Sequence, residues 1–318
     1  MSLIYVNPVE AMLKQQGVLV VDGASGSELE SKGHDINDAL WSAQLLMEKP
    51  EAILALHHEY LQAGADCITT VSYQATVQGF MKRGLSENQS NSLLQLSVQL
   101  ALQARDEFWA DDTNRVGRVK PIVAASIGPY GAYLADGSEY RGDYGLDEMA
   151  LIDFHHKRMA TIIAAKPDII ACETVPCLIE AKALVTVLKS FPETSAWICF
   201  SAKDAIHTNN GETLRSCAQY LDKQTQVAAI GINCTAPQYA ASLIQEIKAV
   251  THKAIIVYPN GGGSYDAVTK TWSTDTKPDS YSEMAKHWYE TGATMIGGCC
   301  QTRPSDIAGI AHWARELE

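Results

Sequence analysis

Eight times along this chain a short apolar run gives way to a helical pattern, and no other feature restricts the fold so tightly. The runs cover residues 17–22, 67–73, 121–128, 168–174, 195–202, 227–234, 254–260 and 293–300. After the first comes a short helix opening at Ser25, where Ser25 and Glu28 have capping-box spacing, and then an amphipathic helix over 50–64 that stops at Gly64. The remaining helices are predicted over 87–109, 147–165, 176–190, 212–221, 237–250, 281–291 and 304–318. Strands that are apolar on both faces belong to parallel sheets covered by helices on both sides. Eight strand-then-helix units therefore predict an α/β protein, a (β/α)8 TIM-type barrel with residues 1–318 as one domain. An open doubly wound nucleotide fold would carry G-x-G-x-x-G after its first strand, and Gly23, Gly26 and the Gly261–Gly263 run do not match it. They read as turn glycines.

Lys and Arg total 25 against 37 Asp and Glu, a formal charge of −12, which argues against nucleic-acid partners. No apolar run reaches the ~18 residues that a membrane span needs, and no signal peptide is visible. Eight cysteines in such a chain imply reduced thiols and a cytoplasmic location rather than disulfides. Cys67, Cys172, Cys177, Cys199 and Cys217 sit in or beside apolar runs and read as packing residues. Oligomeric state is not legible.

In a barrel the strand C-termini meet at one face, and here they carry Asp22, Tyr73, Glu173, Asn233, Cys234, Asn260, Cys299 and Cys300. Two segments share a grammar: 227–237 and 293–304 each run from a strand into cysteine and then Thr-x-Pro, a helix-start signal. Cys234, Cys299 and Cys300 can therefore converge, and three thiolates form a zinc ligand set that keeps a fourth position open. The competing reading is that they are small buried hydrophobes, since no CxxC or HExxH knuckle is present. Two βα connections, 23–49 and 129–146, exceed the ~2–6 residues usual for such loops and are candidate lids. The His57-His58 and His155-His156 pairs lie mid-helix and read as surface or packing residues.

Asp22-Gly23, Glu173-Thr174, Gly-Ile-Asn233-Cys234 and Gly-Gly-Cys299-Cys300, in this order and at strand ends, resemble the homocysteine S-methyltransferases over nearly the whole chain. The resemblance implies a (β/α)8 barrel in which Cys234, Cys299 and Cys300 bind Zn2+ and the metal activates the homocysteine thiol. It places Asp22 and Glu173 near the amino group of homocysteine, with Gly23, Asn233 and Tyr73 in the substrate site; Trp41 joins them as an aromatic that can face the donor, with ordinary packing as its competing role. The 131–140 loop looks like the branch that takes its methyl from S-methylmethionine or S-adenosylmethionine. The betaine-using branch has a different loop and a second aromatic where this chain has Gln74, which puts betaine in doubt. The cobalamin-dependent methionine synthases share the metal motif but need further domains.

A free thiol is mostly protonated at pH 7, whereas a metal deprotonates it, and the thiolate is the nucleophile. A sulfonium donor would lose its methyl as a neutral thioether, with Trp41, Tyr73, Tyr130, Tyr133 and Tyr140 available to face the cation. Two rivals stand beside this reading. One is a zinc hydrolase or lyase on the same barrel with Glu173 as base, disfavoured because three sulfurs make zinc a poor Lewis acid. The other is a zinc-storage or redox protein using the vicinal Cys299-Cys300 pair.

Overall fold

The structure, a computed structural model, describes residues 7–36, 40–262, 265–266, 271–272 and 280–317. Eight parallel strands are arranged in a ring: β1 (Leu19–Val20), β2 (Cys67–Thr69), β3 (Ile122–Ile127), β4 (Ile169–Val175), β5 (Ala196–Phe200), β6 (Val227–Asn233), β7 (Ala254–Tyr258) and β8 (Met295–Ile296). Each pairs with its neighbour in sequence, and β8 pairs back onto β1 through Leu19↔Met295 and Val20↔Ile296. A parallel bridge, Val21↔Cys67, joins β1 to β2 and closes the ring. Eight helices follow the eight strands: α1 (Pro50–Gln62), α2 (Glu87–Ala110), α3 (Glu148–Ile163), α4 (Leu178–Leu188), α5 (Leu214–Asp222), α6 (Ala240–Lys248), α7 (Tyr281–Thr291) and α8 (Pro304–Ala314). The predicted (β/α)8 barrel is the observed architecture.

The apolar strands feed two cores, because successive side chains point to opposite faces. Leu19, Cys67, Ala124, Ile169, Ala171, Trp197, Cys199, Ile256 and Met295 share one cluster within the ring. Val20, Ile68, Val123, Ile170, Ile198, Ile230 and Val257 belong to the other, packed beneath the helices. A helix absent from the sequence reading, Pro8–Gln16, adds Val9 and Met12 to the inner cluster and so packs at the end opposite the strand C-termini. Its signal was present: the Asn7 side chain accepts from the N–H groups of Val9 and Glu10, and proline holds the first helical position.

One local expectation fails. The helix after β1 spans Gly26–Ser31, but Ser25 makes no side-chain cap bond; Glu28, the other half of the expected box, pairs with Lys32 at 3.3 Å. Helix α8 starts at Pro304, as the Thr302-to-Pro304 signal predicts; Arg303 precedes it, and the Arg303 N–H donates to Asp306 Oδ2 at 2.8 Å. The connection 129–146 is ordered rather than featureless, with a helix at Tyr130–Leu134 and a 3-10 turn at Ser138–Tyr140. A third long connection follows β7, and within it Tyr265–Asp266 pairs antiparallel with Thr271–Trp272. Gly263 lies outside the described residues.

Candidate metal centre

Glu173 and Asn233 sit at the C-terminal ends of β4 and β6. Thr174, at a register shift inside β4, and Cys234 and Gln301, in the turns after β6 and β8, take left-handed backbone angles, with φ of 59°, 48° and 67°. Non-glycine residues rarely hold that conformation, and such strain gathers at functional sites. The turns bring three thiols together. Cys234 Sγ lies 3.7 Å from Cys300 Sγ, and the Sγ atoms of Cys234, Cys299 and Cys300 are all within 4.8 Å of one another. No other group of three metal-ligating side chains occurs among the described residues. All eight cysteines are free, and the five read as packing residues are buried.

The two Thr-x-Pro threonines fix this geometry by folding back on the cysteine turns. Thr235 Oγ1 donates to Asn233 O at 2.9 Å and accepts from Ala202 N at 3.0 Å. Thr302 Oγ1 donates to Cys299 O at 2.7 Å and accepts from Ala24 N at 3.1 Å. Gly298 is compulsory beside it, since an added Cβ would come 2.3 Å from Thr302 Oγ1. Gly23 is likewise held by packing: a Cβ there would meet the Tyr60 hydroxyl at 2.8 Å, and that hydroxyl donates to Ala24 O at 2.7 Å.

With the three thiols in contact, their protons are unequal. Hydrogen bonds from Cys299, then Cys300, with Tyr140 and Thr174 adding to them, hold the Cys234 thiol well below its ordinary value. The Cys234 thiolate in turn pushes Cys299 and Cys300 well above theirs. The Tyr140 hydroxyl lies 3.5 Å from Cys234 Sγ. Tyr73 hydrogen-bonds Thr174 and senses Cys234. Tyr130 and Tyr133, by contrast, pack on Phe154, at 4.9 and 5.4 Å between ring centroids. The side chain of Trp41 lies outside what the structure describes.

Two buried carboxylates flank the thiols. Glu173 accepts from Ser126 Oγ through Oε1 and from the Tyr258 hydroxyl at 3.0 Å through Oε2; Trp197 Nε1 in turn donates to Tyr258 at 3.1 Å. Burial pushes Glu173 up to about 7. Asp22 accepts from Thr69 N at 2.7 Å and Thr69 Oγ1 at 3.0 Å, and burial holds it well above the ordinary range. Ser126 and Tyr258 escaped the sequence reading, although a lone serine in an apolar strand and a tyrosine at a strand end were visible. Arg158 was missed too. Buried mid-helix, it donates to Gly128 O, Ser72 O and Tyr73 O, and so ties together the ends of β2 and β3. A third carboxylate, Glu139, comes from the 129–146 connection, and burial pushes it up to about 7 as well. The His155 ring lies 2.8 Å from Glu180 in the core, away from the thiols.

Residues 19–314 match the family model of homocysteine S-methyltransferase. The chain is 55% identical over 312 residues to homocysteine S-methyltransferase YbgG of Bacillus subtilis, covering 98% of this chain and 99% of that one. It is 47% identical to homocysteine S-methyltransferase 1 of Brassica oleracea, over 93% of each chain. The metallated form of the homocysteine methyltransferase MmuM from Escherichia coli superposes with a TM-score of 0.86 at 40% identity, covering 96% and 99% of the two chains. The chain belongs to the homocysteine S-methyltransferase family and is a homocysteine S-methyltransferase.

Proposed function

We propose that this enzyme binds one zinc ion at Cys234, Cys299 and Cys300 and moves a methyl group from a sulfonium amino acid, S-methylmethionine or S-adenosylmethionine, to homocysteine. The observation that carries the proposal is the spacing of the thiols. Zinc–sulfur bonds of about 2.3 Å at tetrahedral angles put sulfurs about 3.8 Å apart, and Cys234 and Cys300 stand at 3.7 Å. When bound, the zinc would hold the homocysteine sulfur as a thiolate at neutral pH.

The chain's own residues do the rest. Asp22 and Glu173 take the substrate ammonium; Asp22 Oδ1 and Glu173 Oε2 each accept one hydrogen bond and have a second lone pair left. Asn233 positions the metal turn, since its amide is engaged by Thr174 and approaches Cys299 Sγ at 4.0 Å. Gly23 leaves room for Tyr60 and thereby fixes the turn after β1. Tyr140 and Tyr73 offer π faces to the sulfonium, each contact worth about 1 kcal/mol. The homocysteine sulfur forms a bond to the methyl carbon while the donor's S–C bond breaks. The donor's electron pair stays on its sulfur as a neutral thioether, the acceptor becomes methionine, and the thiol proton passes to solvent. Charge is lost in this step, so a site that excludes water favours it. The free thiols of the site suit a reducing compartment, the cytoplasm.

Betaine is disfavoured at Gln74, whose Nε2 donates to Ala132 O at 2.9 Å and braces the 129–146 connection. The test is a side-by-side rate comparison of S-methylmethionine, S-adenosylmethionine and betaine with zinc-loaded enzyme. A sulfonium is expected to exceed betaine by at least roughly a hundredfold, about 2.7 kcal/mol. A preference for betaine, or hydrolysis without methyl transfer, would overturn the proposal.

A further inference from the structure

Among the described residues, Glu139 is the one carboxylate around the thiols with a buried oxygen that has no hydrogen-bond partner. Both oxygens of Asp22 and both of Glu173 accept hydrogen bonds. Glu139 Oε2 is buried and has no partner among the described residues. An unmet buried acceptor costs about 1–3 kcal/mol and calls for an explanation.

The loop around it is built to hold it there. Tyr130 N donates to Glu180 Oε1 at 2.6 Å, and the Tyr144 hydroxyl donates to Glu180 Oε2 at 3.1 Å. Gly131 allows the loop to close: a Cβ at that position would lie 2.3 Å from Glu139 N. The nearby cation Arg141 acts on Glu139 through its charge, while its guanidinium donates to Ser138 Oγ at 3.0 Å and lies 3.5 Å from Asp143. The next residue, Tyr140, reaches Cys234 Sγ, and the Glu139 carboxyl senses both Cys234 and Tyr73. Glu139 is thus an acceptor waiting at the edge of the metal site, on the loop rather than on the barrel wall that carries Asp22 and Glu173.

We infer that Glu139 Oε2 accepts a hydrogen bond from the α-ammonium group of the methyl donor. This inference rests on the sulfonium reading above and narrows it. A sulfonium centre carries no N–H or O–H and cannot satisfy the oxygen, whereas an ammonium brings three donors and a positive charge. Glu139 then selects sulfoniums that are amino acids over cationic methyl donors that lack an amino group.

The experiment compares wild type with Glu139→Gln, both zinc-loaded, using S-methylmethionine and 3-(dimethylsulfonio)propanoate, a sulfonium with no amino group, followed as substrate or as inhibitor. The variant should raise KM for S-methylmethionine tenfold or more. Its zinc content, its KM for homocysteine and its affinity for the amino-free sulfonium should stay within twofold of wild type, and Glu139→Asp should recover part of the loss. Equal losses for the two sulfoniums, which a merely structural role would give, or no loss for either, would overturn the assignment. Failure of zinc-loaded wild type to use any sulfonium would instead overturn the reading beneath it.

Discussion

Asn233 and Thr174 form a reciprocal clamp between the ends of β6 and β4. Asn233 Oδ1 accepts the Thr174 backbone N–H at 2.6 Å, and Asn233 Nδ2 donates to Thr174 Oγ1 at 2.8 Å. Both partners are buried, and the clamp ties the left-handed Thr174 of β4 to the residue that precedes the left-handed Cys234. Replacing Asn233 with Ala removes both bonds and strands a buried N–H, at about 2–4 kcal/mol. We expect a lower urea midpoint and weaker zinc retention together. A variant as stable as wild type would show that the turns hold without the clamp.

Glu173→Gln should leave zinc in place and weaken homocysteine. The lost charge-assisted hydrogen bond corresponds to about 1.5–3 kcal/mol, tenfold or more in KM. An unchanged KM for homocysteine would reassign Glu173 to the scaffold.

His57 predicts a pH dependence of stability. It is buried, neither ring nitrogen has a partner among the described residues, and burial, with His58 adding to it, lowers it from 6.5 to about 3. The unfolded chain therefore binds a proton that the folded chain refuses between those values, so stability falls as pH drops below 6.5. The slope is about 1.4 kcal/mol per pH unit. Between pH 6.5 and 5 wild type should lose about 2 kcal/mol more than His57→Leu in urea unfolding. Parallel losses in the two proteins would contradict the assignment.

Oxidation of metal-free enzyme should reach the thiols that the structure pairs. Adjacent Cys299 and Cys300 suggest a vicinal disulfide from sequence alone, but the contact at 3.7 Å is between Cys234 and Cys300. Air oxidation should link these two, and activity should return with zinc plus reductant but not with zinc alone. Peptide mapping that finds free thiols at all three positions would refute this.

The barrel and the meeting of its three thiols were legible because both are written in local pattern. Apolar runs alternating with helical periods fix the ring, and the ring puts Cys234 at the same end of the barrel as Cys299 and Cys300, 65 and 66 residues further on. What stayed hidden depends on contacts between distant turns. Nothing near Thr302 in sequence reveals that its hydroxyl serves Cys299 and Ala24 rather than a helix start. Arg158 looks like any mid-helix arginine until three carbonyls converge on it. Glu139 stands out only once its oxygen is seen to be buried and unmatched.

The central claim is that a metal held by three cysteines takes the homocysteine sulfur as its fourth ligand. X-ray absorption at the zinc edge, recorded before and after homocysteine is added, tests it most directly. The account predicts a first shell that changes from three sulfurs to four at about 2.3 Å. A shell that keeps an oxygen or nitrogen when homocysteine is saturating, or purified active enzyme without zinc, would contradict it.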